Sequence, residues 1–211
     1  IDSSPSKHVI TPNGTVCPSS AQSKFPGGSI YFPTSGDYLR TGGANFLAGN
    51  WTVDCWFYYD GSFPSTIEGL IALDYDGTGG SSNNATVSAN AWHHGAVVFN
   101  GSYYRVFLDG IQVIEVASST AVASQSSSQI IVGTTADGNS SQSWNGYIDE
   151  VRVTTGTALW TQSFTPPTRR NRNAPVVDLS GSNKSTNLFT KDMTDVATYR
   201  DGQVIEPVAS A

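Results

Sequence analysis

Apolar and polar residues alternate with a period of two along several short stretches of the chain, which is the pattern expected of half-buried β-strands. In the longest stretch, 51–59, both alternating sets contain apolar residues. We therefore predict a strand that is covered on one face and half-covered on the other. Further single strands are predicted at 67–73, 130–132, 146–153 and 203–206. No helix of three turns is indicated, so the pattern predicts an all-β chain.

Three consecutive stretches predict an antiparallel meander, made of strands 95–99, 103–108 and 111–116. Asn100-Gly101 and Asp109-Gly110 separate these strands, and both are preferred two-residue hairpin turns because the two central residues must adopt a positive φ. Pairing about the second turn places two sets of side chains on opposite faces. We predict that the core face carries Val106, Leu108, Ile111 and Val113, and that the other face carries Arg105, Phe107, Gln112 and Ile114.

The stretch 146–153 breaks the alternation, because Ile148 and Val151 have opposite parity, with Asp149 and Glu150 between them. A β-bulge inserts one extra residue and reverses the parity of the residues beyond it. We therefore predict a bulge in this strand that brings both apolar side chains to the core face.

Composition and charge narrow the class of partner. Only 13% of the 211 residues are charged, the formal net charge is −6, and the longest basic run is Arg169-Arg170. A nucleic-acid surface needs a cluster of cations to replace the counterions of the phosphates, so we expect no nucleic-acid partner. No apolar stretch approaches the roughly 20 residues of a membrane-spanning helix, so no membrane insertion is expected.

Two cysteines, Cys17 and Cys55, are too few for a disulfide framework and form no metal-binding Cys-x-x-Cys pair. Cys55 shares a strand face with Trp51, Val53 and Phe57, which favours a small buried apolar residue. A disulfide between the two cysteines is the alternative, and the sequence leaves both interpretations open.

The chain changes character after Thr168. Residues 169–211 are more charged and poor in aromatic residues, and they contain only short strand candidates. We predict one sandwich domain over 1–168 and an extension over 169–211 that docks onto partner subunits or is partly disordered.

Several phrases, taken in order, carry a family resemblance. They are SKFPGGSIYF, GDYLRTGGANFLAGNWTVDCWFYY, AWHHGAVVF, YRVFLDGIQV, IIVGTT and NGYIDEVRVTTGTALWTQSFTPPT. Together they cover most of 2–168, and they resemble the laminin G-like, concanavalin A-like jelly-roll domain of bacteriophage virion proteins. The resemblance implies a sandwich of two antiparallel sheets whose roles range over sugar binding, adhesion and scaffolding. Because the family usually begins with one more strand, we expect the N-terminal edge to be open to pairing with another chain.

The resemblance also implies a calcium ion at the loop rim of the sandwich, since hard cations bind several carboxylate and carbonyl oxygens. The candidate ligands are Asp74, Asp76, Asn83 and Asn84, with Asp137 and Asn139 as the second choice. The alternative is that these residues only form turns.

Patterns of catalytic residues are weak. A retaining glycosidase needs two carboxylates about 5–5.5 Å apart in a cleft, but Asp149 and Glu150 are adjacent and point in opposite directions unless a bulge intervenes. No Gly-x-Ser-x-Gly elbow occurs, and the three histidines suggest no pairing of a nucleophile with a base. We expect His93 and His94 to be structural, and we expect no enzyme activity.

The tryptophans lie in strand-like phrases and are expected in the core, which leaves tyrosines as exposed candidates for a sugar platform. The candidate ligand-binding residues are Tyr58, Tyr59, Tyr75, Tyr103 and Tyr104, together with Asn83.

These features lead to three functional hypotheses. The first is a non-enzymatic virion protein, either a tail-fibre receptor-binding module or a capsid decoration subunit, with host glycans as candidate ligands. Its partners would be further copies of itself and other virion subunits. The alternative is a carbohydrate-binding adhesin module of a secreted or cell-surface protein, and the third is a glycan hydrolase. The expected location is a virion surface or the extracellular space.

Overall fold

The computed structural model of the protein describes residues 7–41, 49–60, 71–73, 87–117, 130–134, 143–170, 198–200 and 203–205. Every regular element in these ranges is a β-strand, which confirms the all-β prediction. The strands are β1 (Ile10–Asn13), β2 (Cys17–Ser19), β3 (Ser29–Phe32), β4 (Tyr38–Thr41), β5 (Trp51–Tyr59), β6 (Ile71–Leu73), β7 (Ala91–Phe99), β8 (Tyr103–Leu108), β9 (Ile111–Ala117), β10 (Ile130–Val132), β11 (Gly146–Thr155), β12 (Thr198–Arg200) and β13 (Gln203–Ile205). Among these described residues, no helix is long and apolar enough to cross a membrane.

Two antiparallel sheets form the predicted jelly-roll sandwich. In the described residues, one sheet has the order β1-β4-β10-β6 and the other has the order β2-β3-β11-β5-β7-β8-β9. The chain divides into two compact units, Ile1–Asn171, which contains the sandwich, and Arg172–Ala211, in which β12 pairs with β13. The docking role expected of residues 169–211 stays a prediction.

The main apolar core lies on one face of the larger sheet. Cys55 and Phe57 of β5 cluster there with Ile130 and Val132 of β10, which belongs to the smaller sheet. We call this face of the larger sheet the inner face. Because successive side chains of a strand point to opposite sides, the other set of β5 residues lies on the outer face. These residues are Thr52, Asp54, Trp56 and Tyr58.

Residues 157–164, which we call the closing segment, cover the middle of the outer face. The apolar side chains that meet there are Ala96, Val98, Phe107, Ala158, Trp160 and Phe164. Trp160 and Phe164 stack with their ring centroids 3.8 Å apart. The amide of Phe164 donates to the carbonyl of Gly110 at 2.8 Å, and a Cβ at position 110 would collide with the Phe164 carbonyl. The segment therefore docks against a turn that requires glycine.

The predicted meander is confirmed as β7, β8 and β9. The two-residue turn predicted at Asn100-Gly101 is wrong, because only Gly101 has a positive φ and the loop closes between Asn100 and Tyr103. Both residues of its second turn, Asp109 and Gly110, have a positive φ, as a two-residue hairpin requires. The register differs from the predicted one, because it shifts after Val106. That residue pairs with Ile114 instead of Val113.

The predicted core face of the meander is right only in part: Leu108 lies on the inner face and packs against the main core, but the opposite face is more deeply buried. Phe107 and Arg105 are buried on the outer face, with Phe107 only 1% exposed. Val106 and Leu108 are half-buried, and Ile111 is 64% exposed. The physical reason is the closing segment, whose apolar side chains cover the outer face of the meander. The local sequence pattern of the meander does not reveal this cover.

The predicted bulge is present in β11. The register shifts between Asp149 and Arg152, where two residues of β11 lie opposite one residue of β5. Glu150, inside the bulge, adopts a φ of 53°. The break in alternation was therefore a reliable sign of an inserted residue.

The bulge does not bring both predicted apolar residues to the core. Ile148 is buried in the main core, as expected, but Val151 is 41% exposed, so that part of the prediction is wrong. Val151 lies within the bulge itself, where the strand turns away from its partner. The next apolar residue, Val153, packs against the core in its place.

A buried carboxylate lies at the centre of the outer face. Asp54 is 1% exposed and accepts hydrogen bonds from Nε and Nη2 of Arg152 at 2.8 and 3.1 Å. Its Oδ2 also lies 3.1 Å from Nε2 of the buried His94. Taking a lone carboxylate out of water costs several kcal/mol, which only good partners offset. The fold therefore depends on this cluster remaining complete.

Asp54→Asn should lower the free energy of unfolding by about 3 kcal/mol, because the neutral amide leaves the Arg152 guanidinium without its counter-charge. Urea unfolding followed by tryptophan fluorescence measures the change. Asp60→Asn is the matched control, since Asp60 is exposed and the interactions of an exposed carboxylate contribute about 1 kcal/mol or less. Equal effects of the two substitutions would contradict the structural role of Asp54.

Candidate functional site

Four aromatic side chains form a row across the outer face of the larger sheet, each contributed by a different strand. Tyr147 of β11 pairs with Tyr31 of β3 on one side and with Tyr58 of β5 on the other. Tyr58 in turn pairs with Trp92 of β7. All four are half-buried, so part of every side chain is open to solvent. We call these four residues the aromatic row.

The rings of the aromatic row contact one another in sequence. Tyr31 and Tyr147 stack with centroids 4.6 Å apart, Tyr147 meets Tyr58 edge-on at 6.0 Å, and Tyr58 lies 5.6 Å from Trp92. These separations lie in the range in which aromatic pairs attract. Because neighbouring strands lie about 4.8 Å apart, the row is roughly 14 Å wide. It is a continuous apolar strip with polar tips.

The polar tip of Tyr147 stays neutral. Burial raises the pKa of the Tyr147 hydroxyl, and the neighbouring Tyr31, Asp60 and Tyr58 raise it further. A phenol with a raised pKa keeps its proton at physiological pH and can donate a hydrogen bond. The row thus offers hydroxyl groups beside partly exposed aromatic rings.

A shallow depression adjoins the Tyr31 end of the row. Its volume is about 230 Å³, and it is lined by Pro18, Ser19, Ser20, Gly27, Gly28 and Ser29. Ser29 and Tyr31 lie two residues apart on β3 and therefore share a face of the sheet. The depression and the aromatic row are neighbours on the same side of the molecule.

Residues 64–162 match a family model described as the concanavalin A-like lectin/glucanases superfamily. This segment, a little under half of the chain, is similar to that superfamily. The match confirms the fold family that the ordered sequence phrases indicate. A comparison with curated protein sequences found no match.

Several solved structures are similar to this sandwich at low identity. Domain 4 of AbnA, a GH43 extracellular arabinanase from Geobacillus stearothermophilus in complex with arabinotriose, is 15% identical, with a TM-score of 0.50 over 72% of this chain and 83% of that one. The binding domain of botulinum neurotoxin DC in complex with SialylT is 11% identical, with a TM-score of 0.49 over 69% and 42%. Trypanosoma rangeli sialidase is 12% identical, with a TM-score of 0.47 over 59% and 25%. This chain thus spans less than half of the toxin domain and about a quarter of the sialidase, and the likeness shows the fold alone.

The structure separates the tyrosines that the sequence offers as ligand-binding candidates. Tyr58 lies in the aromatic row, whereas Tyr104 pairs with Phe99, seven residues along β7 from Trp92 and therefore about 24 Å away. The neighbouring Tyr103, 38% exposed, lies at that same far end. The described tyrosines therefore do not form one site.

Three further candidates complete the predicted set. Tyr59 packs against the main core, on the inner face. Tyr75 and Asn83 lie outside the described residues. A ligand-binding role for Tyr75 and Asn83 stays a prediction.

The predicted calcium ligands Asp74, Asp76, Asn83, Asn84, Asp137 and Asn139 all lie outside the described residues. Within the part of the chain that the structure describes, no group of three His, Cys, Asp or Glu side chains is placed to hold a metal ion. Calcium binding at the loop rim stays a prediction.

The structure assembles a serine, a histidine and an aspartate that the sequence did not suggest as a group. Ser88 Oγ lies 3.0 Å from Nε2 of His93, and Nδ1 of His93 lies 2.7 Å from Oδ2 of Asp109. The carbonyl oxygen of Ser88 is also 3.0 Å from the same Nε2, and Oδ1 of Asp109 accepts a hydrogen bond from the backbone amide of His94. These contacts tie two turns to β7, and both histidines are buried, as expected of structural residues.

The two cysteines have opposite environments and form no disulfide. Cys17 is exposed on β2, where it pairs with Tyr31, and Cys55 is buried on β5. Burial raises the pKa of the Cys55 thiol, and the nearby Asp54 carboxylate raises it further. Because the thiolate is the reactive form, Cys17 is the thiol that a reagent can reach.

Iodoacetamide should add one carbamidomethyl group to the native protein and two after unfolding in urea, because only unfolding exposes Cys55. Intact-protein mass spectrometry counts the groups. The Cys17→Ser variant is the control and should remain unmodified while folded. Addition of two groups at similar rates to the native protein would contradict the buried position of Cys55.

Proposed function

We propose that this domain binds glycans at the surface of a virion or of another extracellular assembly, and that it does so without catalysing a reaction. The observation that carries the proposal is the aromatic row, four half-exposed rings side by side on the outer face. The description of the matched superfamily names lectins and glucanases, and both kinds of protein handle sugars.

A sugar ring suits this surface physically. Its C–H groups form an apolar face that packs against aromatic rings, while its hydroxyls bond to polar groups at the rim. The three phenols and the indole of the row supply both kinds of contact. Cross-strand aromatic pairs also stabilise a sheet, but that role does not require the side chains to be exposed. Partial exposure of all four residues therefore favours a ligand.

Display of many copies of the domain in one assembly suits an open binding site of this kind. A shallow sugar site binds weakly on its own, and repeated copies raise the effective concentration of sites and hence the avidity. The role in a virion is supported by the resemblance of the ordered sequence phrases to domains of bacteriophage virion proteins. We propose that residues 169–211 dock onto copies of this chain and onto other virion subunits. A secreted or cell-surface adhesin would gain from repetition in the same way and is the alternative.

Trp92→Ala and Tyr58→Ala should each weaken binding of a glycan identified on an array by roughly ten-fold, which corresponds to a loss of about 1.4 kcal/mol. Isothermal titration calorimetry measures the affinities. Tyr103→Ala is the matched control, since Tyr103 is an exposed tyrosine at the far end of the sheet and should have no effect. A glycan array without any binder, or equal losses for all three variants, would refute the proposal.

Hydrolysis is a second candidate function, and one observation favours it. Ser88, His93 and Asp109 are connected in the order of a serine-hydrolase triad. The position of the Ser88 carbonyl argues against a triad, because this carbonyl competes with the serine hydroxyl for Nε2 of His93. We therefore assign these three residues to the structure of the turns.

The adjacent acids of β11 also have structural partners. Asp149 accepts hydrogen bonds from the backbone amides of Lys24 and Phe25, and Glu150 accepts one from Arg170. A glycosidase needs its two carboxylates free to face the sugar in a cleft. This pair therefore gives no support to glycan hydrolysis.

A fluorophosphonate probe, which reacts with activated serines, should leave Ser88 unmodified, because its histidine is engaged by the carbonyl. Intact-protein mass spectrometry detects the adduct, and Ser88→Ala provides the background. An adduct that forms on the native protein and is lost in Ser88→Ala would overturn the non-catalytic assignment.

A further inference from the structure

We propose that the depression beside Tyr31 is an end subsite of the aromatic row, and that the two together take an unbranched, β-linked pyranose chain. This inference rests on the proposed binding of glycans by the row. It adds where the chain ends and which class of chain fits.

The depression and the row form one continuous surface. On β2 and β3, Cys17 pairs with Tyr31 and Ser19 pairs with Ser29. Side chains two residues apart on a strand share a face and lie about 7 Å from each other. The depression therefore begins one side-chain step from the last ring of the row.

The wall of the depression is held in position before any ligand arrives. The segment that contains Ser20, Gly27 and Gly28 is fixed to the sheet by Asp149, which accepts the backbone amides of Lys24 at 3.1 Å and Phe25 at 3.4 Å. The Ser29 hydroxyl donates to the carbonyl of Gln22 in the same segment at 2.6 Å. Ordering this wall adds no cost when a sugar binds, which favours affinity.

Glycine keeps the depression open. Gly28 has a φ of +91°, and a Cβ there would lie 2.8 Å from the carbonyl oxygen of Ser19. Any side chain at this position would be strained in its backbone and would crowd the other wall. Ser20 is exposed in the wall and offers a neutral hydroxyl to a ligand, whereas the Ser29 hydroxyl is already bonded to Gln22.

The size and charge of the depression fit one neutral sugar ring. Its volume of about 230 Å³ is below the roughly 300–1,000 Å³ of pockets that hold drug-sized ligands. Its lining residues carry no charge. Arg170, which packs against Gly27, is neutralised by its ion pair with Glu150 at 2.7 Å. The chemistry therefore matches hydroxyl groups better than carboxylates.

The shape of the row selects an extended chain. A β-linked pyranose chain with equatorial linkages stays straight and presents flat C–H faces, so it can remain in contact along a row roughly 14 Å wide. A branch would lift the chain from the rings. The terminal ring then enters the depression, and the following rings lie on Tyr31, Tyr147, Tyr58 and Trp92.

Cello-oligosaccharides of one to six glucose units are the probe for this inference, and calorimetry measures their affinities. We expect affinity to rise at least ten-fold from the disaccharide to the hexasaccharide, because only a long chain fills both surfaces. Ser20→Phe, which plugs the depression, should weaken hexasaccharide binding about five-fold and leave disaccharide binding unchanged. Ala21→Phe is the matched control, since Ala21 is exposed next to Ser20 but does not line the depression.

Cys17 provides a second, independent readout, because it lies between Tyr31 and Ser19 at the junction of the two surfaces. A saturating concentration of hexasaccharide should slow its alkylation by iodoacetamide several-fold, whereas glucose should not. This measurement needs no variant, so it does not depend on whether a substituted protein folds.

The outcomes separate this inference from the proposed function. If the hexasaccharide binds but Ser20→Phe has no effect, or Cys17 is alkylated at its full rate, the end subsite is wrong while the row stands. If other glycans bind and no cello-oligosaccharide does, the assignment to β-linked chains is wrong and the proposed function stands. If Trp92→Ala changes the binding of no glycan, the proposed function itself fails.

Discussion

A buried carboxylate in the middle of the larger sheet determines how its outer face is used. Asp54 keeps its charge away from water because Arg152 and His94 both bind it. The closing segment can then cover this face, since the Trp160 ring lies 5.7 Å from the His94 ring and 5.5 Å from the Arg152 guanidinium carbon. The aromatic row lies beyond the residues that the segment packs against. One face thus has a closed apolar part and an open aromatic part.

Strand positions and the Asp109-Gly110 turn could be predicted from the sequence because they depend on neighbouring residues. Asp109-Gly110 favours a tight turn wherever it occurs, since it accepts a positive φ at both positions. The buried face of the meander could not be predicted, because the cover over Phe107 comes from Trp160 and Phe164, which are distant in sequence. The local sign was the mixed composition of 51–59, whose two faces are both buried from Trp51 to Phe57.

The candidate site could be predicted only in part, for a related reason. Tyr58 is among the exposed aromatic candidates, but Trp92 was expected in the core and is half-buried, and nothing local joins either residue to Tyr31 and Tyr147. These residues become neighbours through the strand order β3-β11-β5-β7 and through the register of each pairing. A slip of one residue in any of these pairings would send a ring to the inner face. The row is therefore a property of the topology.

The bulge in β11 connects the closed and the open parts of the outer face. In a regular strand Tyr147 and Asp149 would point outward and Arg152 inward, because successive side chains alternate. The extra residue at Glu150 reverses the parity beyond it, so all three lie on the outer face. Tyr147 then joins the row, Asp149 fixes the wall of the depression, and Arg152 neutralises Asp54. One inserted residue thus couples the stability of the covered part to the geometry of the exposed one.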